Sequence, residues 1–130
     1  MPPTPDELEP QHTLSTATTR FDELRMRDAL ASMAAESGPL SRDEALEMLA
    51  LSEVVIRKAG YGRQTMVRAA RGAGASWTQI GAALGSSKQA AWEAHSRWIE
   101  EQARQHERTG DEGFDAEQAD DARGVAGSPD

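Results

Sequence analysis

The chain has 130 residues with 14 basic and 22 acidic side chains, a formal charge of −8, and no cysteine. That composition excludes a disulfide framework and the usual cysteine-based structural zinc sites, and no apolar run approaches the length needed to cross a bilayer. The charge is unevenly spread: residues 1–49 hold 4 basic and 10 acidic side chains, residues 50–100 hold 7 and 3, and residues 101–130 hold 3 and 9. A positive middle between two acidic flanks is the distribution expected of a confined anion-facing surface rather than of a uniformly basic nucleic-acid coat.

In chain order, residues 1–18 are expected to form a disordered N-terminal tail. Residues 1–10 hold four prolines among acids, with only Met1 and Leu8 as sizeable apolar side chains, too few to offset the entropy of ordering. A helical domain is expected over 19–108. Its first helix should cover about 20–36, with Phe21, Leu24, Ala29, Leu30 and Met33 as an uneven apolar side and Ser37, Gly38 and Pro39 as its stop. Ser41 then caps a second helix, Glu44 closing a capping box. Ala45, Leu46, Met48, Leu49, Leu51, Val54, Val55 and Ile56 make that helix apolar around much of its girth, so it should be central to the fold. Gly60 and Gly62 flank Tyr61 as a turn. A third helix over 64–73, ended by Gly72 and Gly74, should brace the pair of helices after it. No stretch shows the alternation of a strand, so the fold class is all-α: a compact helical bundle of about five helices with disordered acidic termini.

Residues 76–98 read as two helices pivoting on one glycine. Ser76 and Gln79 have capping-box spacing, which starts a helix at Trp77. Ile80, Gly81 and Leu84 share a face, and Gly85 stands where a positive φ stops the helix at little steric cost. Ser86 or Ser87 caps the next helix, whose inward stripe is read as Ala91, Ala94 and Trp98, with Lys88, Gln89, Trp92 and Ser96 pointing elsewhere. Gly81 and Ala91 are small where two such helices cross closely.

The phrase carried by Ser76, Trp77, Ile80, Gly81, Leu84, Gly85, Ser87, Lys88, Gln89, Ala90 and Ala91 resembles the helix-turn-helix of many small DNA-binding proteins of high-GC bacteria, and is similar to sigma-factor region 4. The resemblance covers about a fifth of the chain. It implies that Ser87, Lys88 and Gln89 open a recognition helix into the major groove, and that Ser76, Thr78 and Gln79 touch phosphate. Lysine there matches guanine acceptors and glutamine the adenine edge. Ser86 belongs with the base-reading set. Trp92 either stacks on a thymine methyl or the sugar-phosphate edge, or packs on the helix behind it. Arg63, Arg68 and Arg71 are further phosphate candidates, Arg68 and Arg71 sharing a face of the third helix, with solvation of helix surfaces as the plain alternative.

The last helix should continue to about residue 108, with Trp98 and Ile99 covered by the second helix or by its copy in a homodimer. Residues 109–130, rich in Gly, Asp and Glu with Phe114 and Val125 isolated, are expected as a disordered acidic C-terminal tail. His12, His95 and His106 are scattered, so no metal or cofactor is expected. Nor is an enzyme: no nucleophile or pocket accompanies His95 and its neighbouring carboxylates Glu93 and Glu100. The reading is a cytoplasmic, nucleoid-associated homodimer that binds double-stranded DNA sequence-specifically as a transcriptional regulator, with no membrane contact. The alternatives are a module docking on RNA polymerase or a partner regulator, and a nucleoid-associated protein coating many sites.

Overall fold

The computed structural model describes residues 1–33 and 38–129, and among these it contains helices and no strand. In order they are α1 (Pro5–Leu8), a 3-10 turn (Glu9–Gln11), α2 (Leu14–Met33), α3 (Arg42–Tyr61), α4 (Arg63–Gly72), α5 (Trp77–Leu84), α6 (Lys88–Thr109) and α7 (Ala116–Ala126). The all-α class therefore holds, with more helices than the five expected. The chain divides into two units, residues 1–62 and residues 63–130. The boundary falls inside the stretch that the sequence joined as one domain over 19–108.

In the first unit α2 and α3 pack on each other, and α1 packs on α3. Leu8, Ala17, Leu24, Ala50, Leu51 and Val54 form the buried core, so α3 is central to this unit rather than to the whole chain. The capping box of Ser41 and Glu44 is present as expected. The start of α2 lies earlier than expected because Thr13 and Thr16 exchange side-chain-to-backbone hydrogen bonds (3.1 and 2.9 Å), and Thr18 and Thr19 bond back to carbonyls one turn earlier. Of the expected end at 36 and stop at Ser37, Gly38 and Pro39, residues 36 and 37 lie outside the described residues, and Gly38 and Pro39 lie outside any helix.

Nor is the N-terminal stretch a bare tail. Thr4 caps α1, and Leu8 is buried in the core cluster. Arg57 reaches back to Asp6 (2.8 Å) and Glu9 (3.2 Å), while the Tyr61 hydroxyl donates to Glu9. The Tyr61 hydrogen bond first, and Arg57 second, hold the Glu9 carboxyl below its ordinary value. One leucine and a set of ion pairs formed some 50 residues away in sequence hold this segment, a partnership that local composition does not reveal.

In the second unit α4 packs on α5, α6 and α7, and α5 and α7 both pack on α6. Val67, Trp77, Ile80, Ala91, Ile99, Ala122 and Ala126 make the core. The expected acidic tail over 109–130 is corrected here. Gly110, at φ 79°, caps α6. The loop then turns back so tightly at Gly113 that a Cβ there would lie 2.2 Å from the Gln102 carbonyl. Asp115 and Gln118 form a capping box, and α7 buries Ala119, Ala122 and Ala126. Alanines on one helix face give weak apolar contrast, yet they let α7 lie close against its neighbours.

Candidate functional site

The turn from α5 into α6 is built from three local devices. Ser76 Oγ accepts the Gln79 N–H (3.1 Å) while the Gln79 carboxamide accepts the Ser76 N–H (2.9 Å), which starts α5 at Trp77. Gly85 takes φ 70° and ends it, its N–H bonding to Ala82 and the Ser86 N–H to Gly81 (2.8 Å). Ser87 then caps α6 through Ala90 N–H (3.1 Å). Gly81 is held by close approach: a Cβ on it would stand 2.9 Å from the carbonyl oxygens of Ser86 and Ser87. Any side chain at Gly81 pushes the start of α6 away from α5.

Behind this turn runs a chain of rings. Trp77, 1% exposed, lies 5.6 Å from the His95 ring, His95 5.4 Å from Trp98, and Trp98 5.3 Å edge-on to Phe114. His95 is fully buried, its Nδ1 2.9 Å from Gln64 Oε1. A carboxamide oxygen can only accept, so Nδ1 carries the hydrogen and Nε2 is left without a partner. Burial, with the Arg68 guanidinium adding to it, holds this imidazole below the ordinary histidine value.

The inward stripe of α6 is therefore Ala91, His95 and Ile99, not the expected Ala91, Ala94 and Trp98. A polar residue in the stripe concealed the register. Ile99 and Trp98 are covered within this unit, Trp98 by Phe114 and Ile99 in the cluster with Ala122 and Ala126. Neither α3 nor a second copy is needed to shield them.

The expected contact residues separate into two groups. Ser86, Ser87, Lys88 and Gln89 are exposed at the turn and the first residues of α6, and Ser76, Thr78 and Gln79 are exposed at the start of α5. The first set lies at the turn itself and the second at the opposite end of α5, one helix length away in sequence. Arg63 is exposed at the start of α4, and Arg68 is half-buried with its guanidinium over the Phe114 ring (5.5 Å).

Arg71 is corrected, and Trp92 is resolved between its two expected roles. The Arg71 guanidinium donates to the carbonyls of Val125 and Ala75 (3.1 Å each) and lies over the Trp77 ring, so its donors serve the fold rather than a phosphate. The Trp92 indole N–H donates to the Gly127 carbonyl (2.8 Å), and the Trp77 indole N–H to the Ala126 carbonyl (2.8 Å). Trp92 is thus packed and tied down, the second of its two expected roles.

Sequence reasoning weighed Glu93 only beside His95 and passed over Arg97; the two are exposed one and two turns after Gln89. Glu93 accepts a hydrogen bond from the Gln89 carboxamide (2.9 Å). Their spacing of four was the available signal. Among the described residues no group of acids and histidines is arranged to hold a metal ion, and no helix is long and apolar enough to cross a membrane.

Comparison of the chain with protein-family models, curated proteins and solved structures finds no match.

Proposed function

We propose that α5 and α6 act as a DNA-reading helix-turn-helix and that the chain is a sequence-specific, double-stranded-DNA-binding regulator of transcription. The observation that carries this reading is the edge around the start of α6. Apart from Leu84, its exposed positions beside Lys88 and Gln89, namely Ala82, Ala83, Gly85, Ser86, Ser87 and Ala90, are small, so a groove can approach the backbone. Lys88 and Gln89 project from that low surface.

Charge supports the same reading. Neither α5 nor α6 has an acid in its first turn, a feature they share with α2 and α4, whereas α1, α3 and α7 do. Helix stability by itself favours an anion at that end, and α6 places Lys88 there instead. Lys88 and the exposed helix terminus suit a phosphate or a guanine edge. Lys88, Arg63 and Arg97 have no carboxylate partner within salt-bridge distance among the described residues.

A homodimer belongs to this proposal because one such module reads few bases and two on a two-fold axis read matched half-sites. Apolar surface for self-association exists on the first unit, where Met26, Leu30 and Met33 on α2 and Leu49 and Ile56 on α3 are exposed. A second reading, a protein-docking module, is favoured by one observation: Leu84, 40% exposed, stands beside Ala82 and Ala83 as an apolar patch at the turn.

Selection of genomic fragments bound by the full chain at stated salt tests the proposal. A DNA-reading regulator enriches a short symmetric site and weakens steeply as salt rises. A docking module enriches nothing, and a coating protein enriches fragments without a shared site.

A further inference from the structure

We infer that Gln89 and Glu93 form one base-reading unit, in which Glu93 selects a cytosine one or two base steps from an adenine read by Gln89. This rests on the DNA-binding reading above. The geometry is a hydrogen bond from Gln89 Nε2 to Glu93 Oε1 of 2.9 Å between two exposed side chains one helical turn apart. Nε2 has two hydrogens. With one donated to Glu93, the carboxamide keeps one donor and its own oxygen, fixed in orientation.

That remaining pair is the complement of the adenine major-groove edge, which offers N7 as acceptor and the N6 amino group as donor. The carboxylate on its other side keeps a free oxygen that can only accept. Cytosine presents an amino donor with no acceptor beside it, whereas guanine presents two acceptors that repel a carboxylate. Four residues rise about 6 Å along a helix, which is one to two base steps of about 3.4 Å. Ala90 and Ala94, between and beside the pair, have no side chain long enough to block its approach.

A carboxylate near a phosphate backbone lowers affinity for any duplex, so Glu93 exchanges general affinity for choice of base. The plain alternative is a solvated pair that merely supports the helix, and it differs in outcome. Full-length wild-type chain, Glu93→Ala and Glu93→Gln are each used to select from a randomised duplex pool, with helical content checked by circular dichroism.

The expected result is a wild-type site containing an adenine and a nearby cytosine. Glu93→Ala keeps the adenine, loses a cytosine preference of roughly 5- to 150-fold, and binds random duplex more tightly. Glu93→Gln, which keeps a partner for Gln89, moves the preference at that position from cytosine to adenine. A wild-type site that is recovered unchanged by both variants overturns the inference and leaves the DNA-binding reading standing. Failure of the wild-type chain to enrich any site overturns both.

Discussion

The indole N–H of Trp92 donates to the carbonyl of Gly127 at 2.8 Å, tying the early part of α6 to the end of α7. With Trp77 bonded to the adjacent carbonyl of Ala126, the C-terminal helix closes the second unit. Ending the chain at Gly110 removes both acceptors and the cover over Ile99, and leaves the buried Trp77 N–H unpaired, a cost of about 1–3 kcal/mol for that group alone. The cooperative thermal transition of this unit should disappear in calorimetry. Trp92→Phe, a milder change, should cost about 0.5–1.5 kcal/mol.

Three glycines should separate by mechanism. Gly81→Ala places a Cβ 2.9 Å from backbone atoms of Ser86 and Ser87 and should cost about 1–3 kcal/mol as overpacking. Gly85→Ala meets open space but keeps φ 70°, costing about 1–2 kcal/mol. Gly72→Ala, with nothing within 4 Å and no positive φ, should be neutral or stabilise by up to about 1 kcal/mol. Chemical denaturation of the three variants checks the order, and equal costs would contradict it.

Arg71→Lys keeps the charge and loses the planar fork that reaches Val125 and Ala75. It should destabilise the second unit by about 1–2 kcal/mol, each lost bond being worth about 0.5–1.5 kcal/mol, and should leave the salt dependence of DNA binding unchanged. A changed salt slope with unchanged stability would return Arg71 to the phosphate-contacting set.

His95 gives the second unit a pH dependence whose sign is set by its burial. Its folded value lies below the ordinary 6.5, so the unfolded chain takes up the proton first. Its contribution is fully present above about pH 6.5 and is lost as pH falls below that, at up to about 1.4 kcal/mol per pH unit. Stability measured from about pH 7 to about pH 5, above the range where ordinary carboxylates titrate, should fall in the wild type and flatten in His95→Gln. A slope that survives the substitution would assign it to other groups.

What could be read from the chain was local. Ser41 with Glu44, Ser76 with Gln79, and Gly85 act within a few residues of themselves, and each capping box and the helix stop stands where spacing put it. What could not be read was partnership at a distance. Leu8 and Phe114 look isolated in polar, acidic stretches, yet Leu8 joins the core of the first unit and Phe114 packs on Trp98. Arg71 looks like a surface cation until the Val125 carbonyl of α7 comes into place, and His95 looks polar until two tryptophans enclose it. Glu93 was legible by its spacing of four from Gln89, but in the sequence it reads only as a carboxylate near His95.

The most direct measurement is titration of a labelled duplex carrying the selected site with wild-type chain and with Lys88→Ala/Gln89→Ala, at low and at physiological salt. The double variant should fold like the wild type and lose about 1–3 kcal/mol for each good base contact removed, while its binding to random duplex weakens less, by no more than the loss of one cation near the backbone explains. Equal affinity of the two proteins for the selected site, with both fully folded, would contradict the assignment of α6 as the helix that reads DNA.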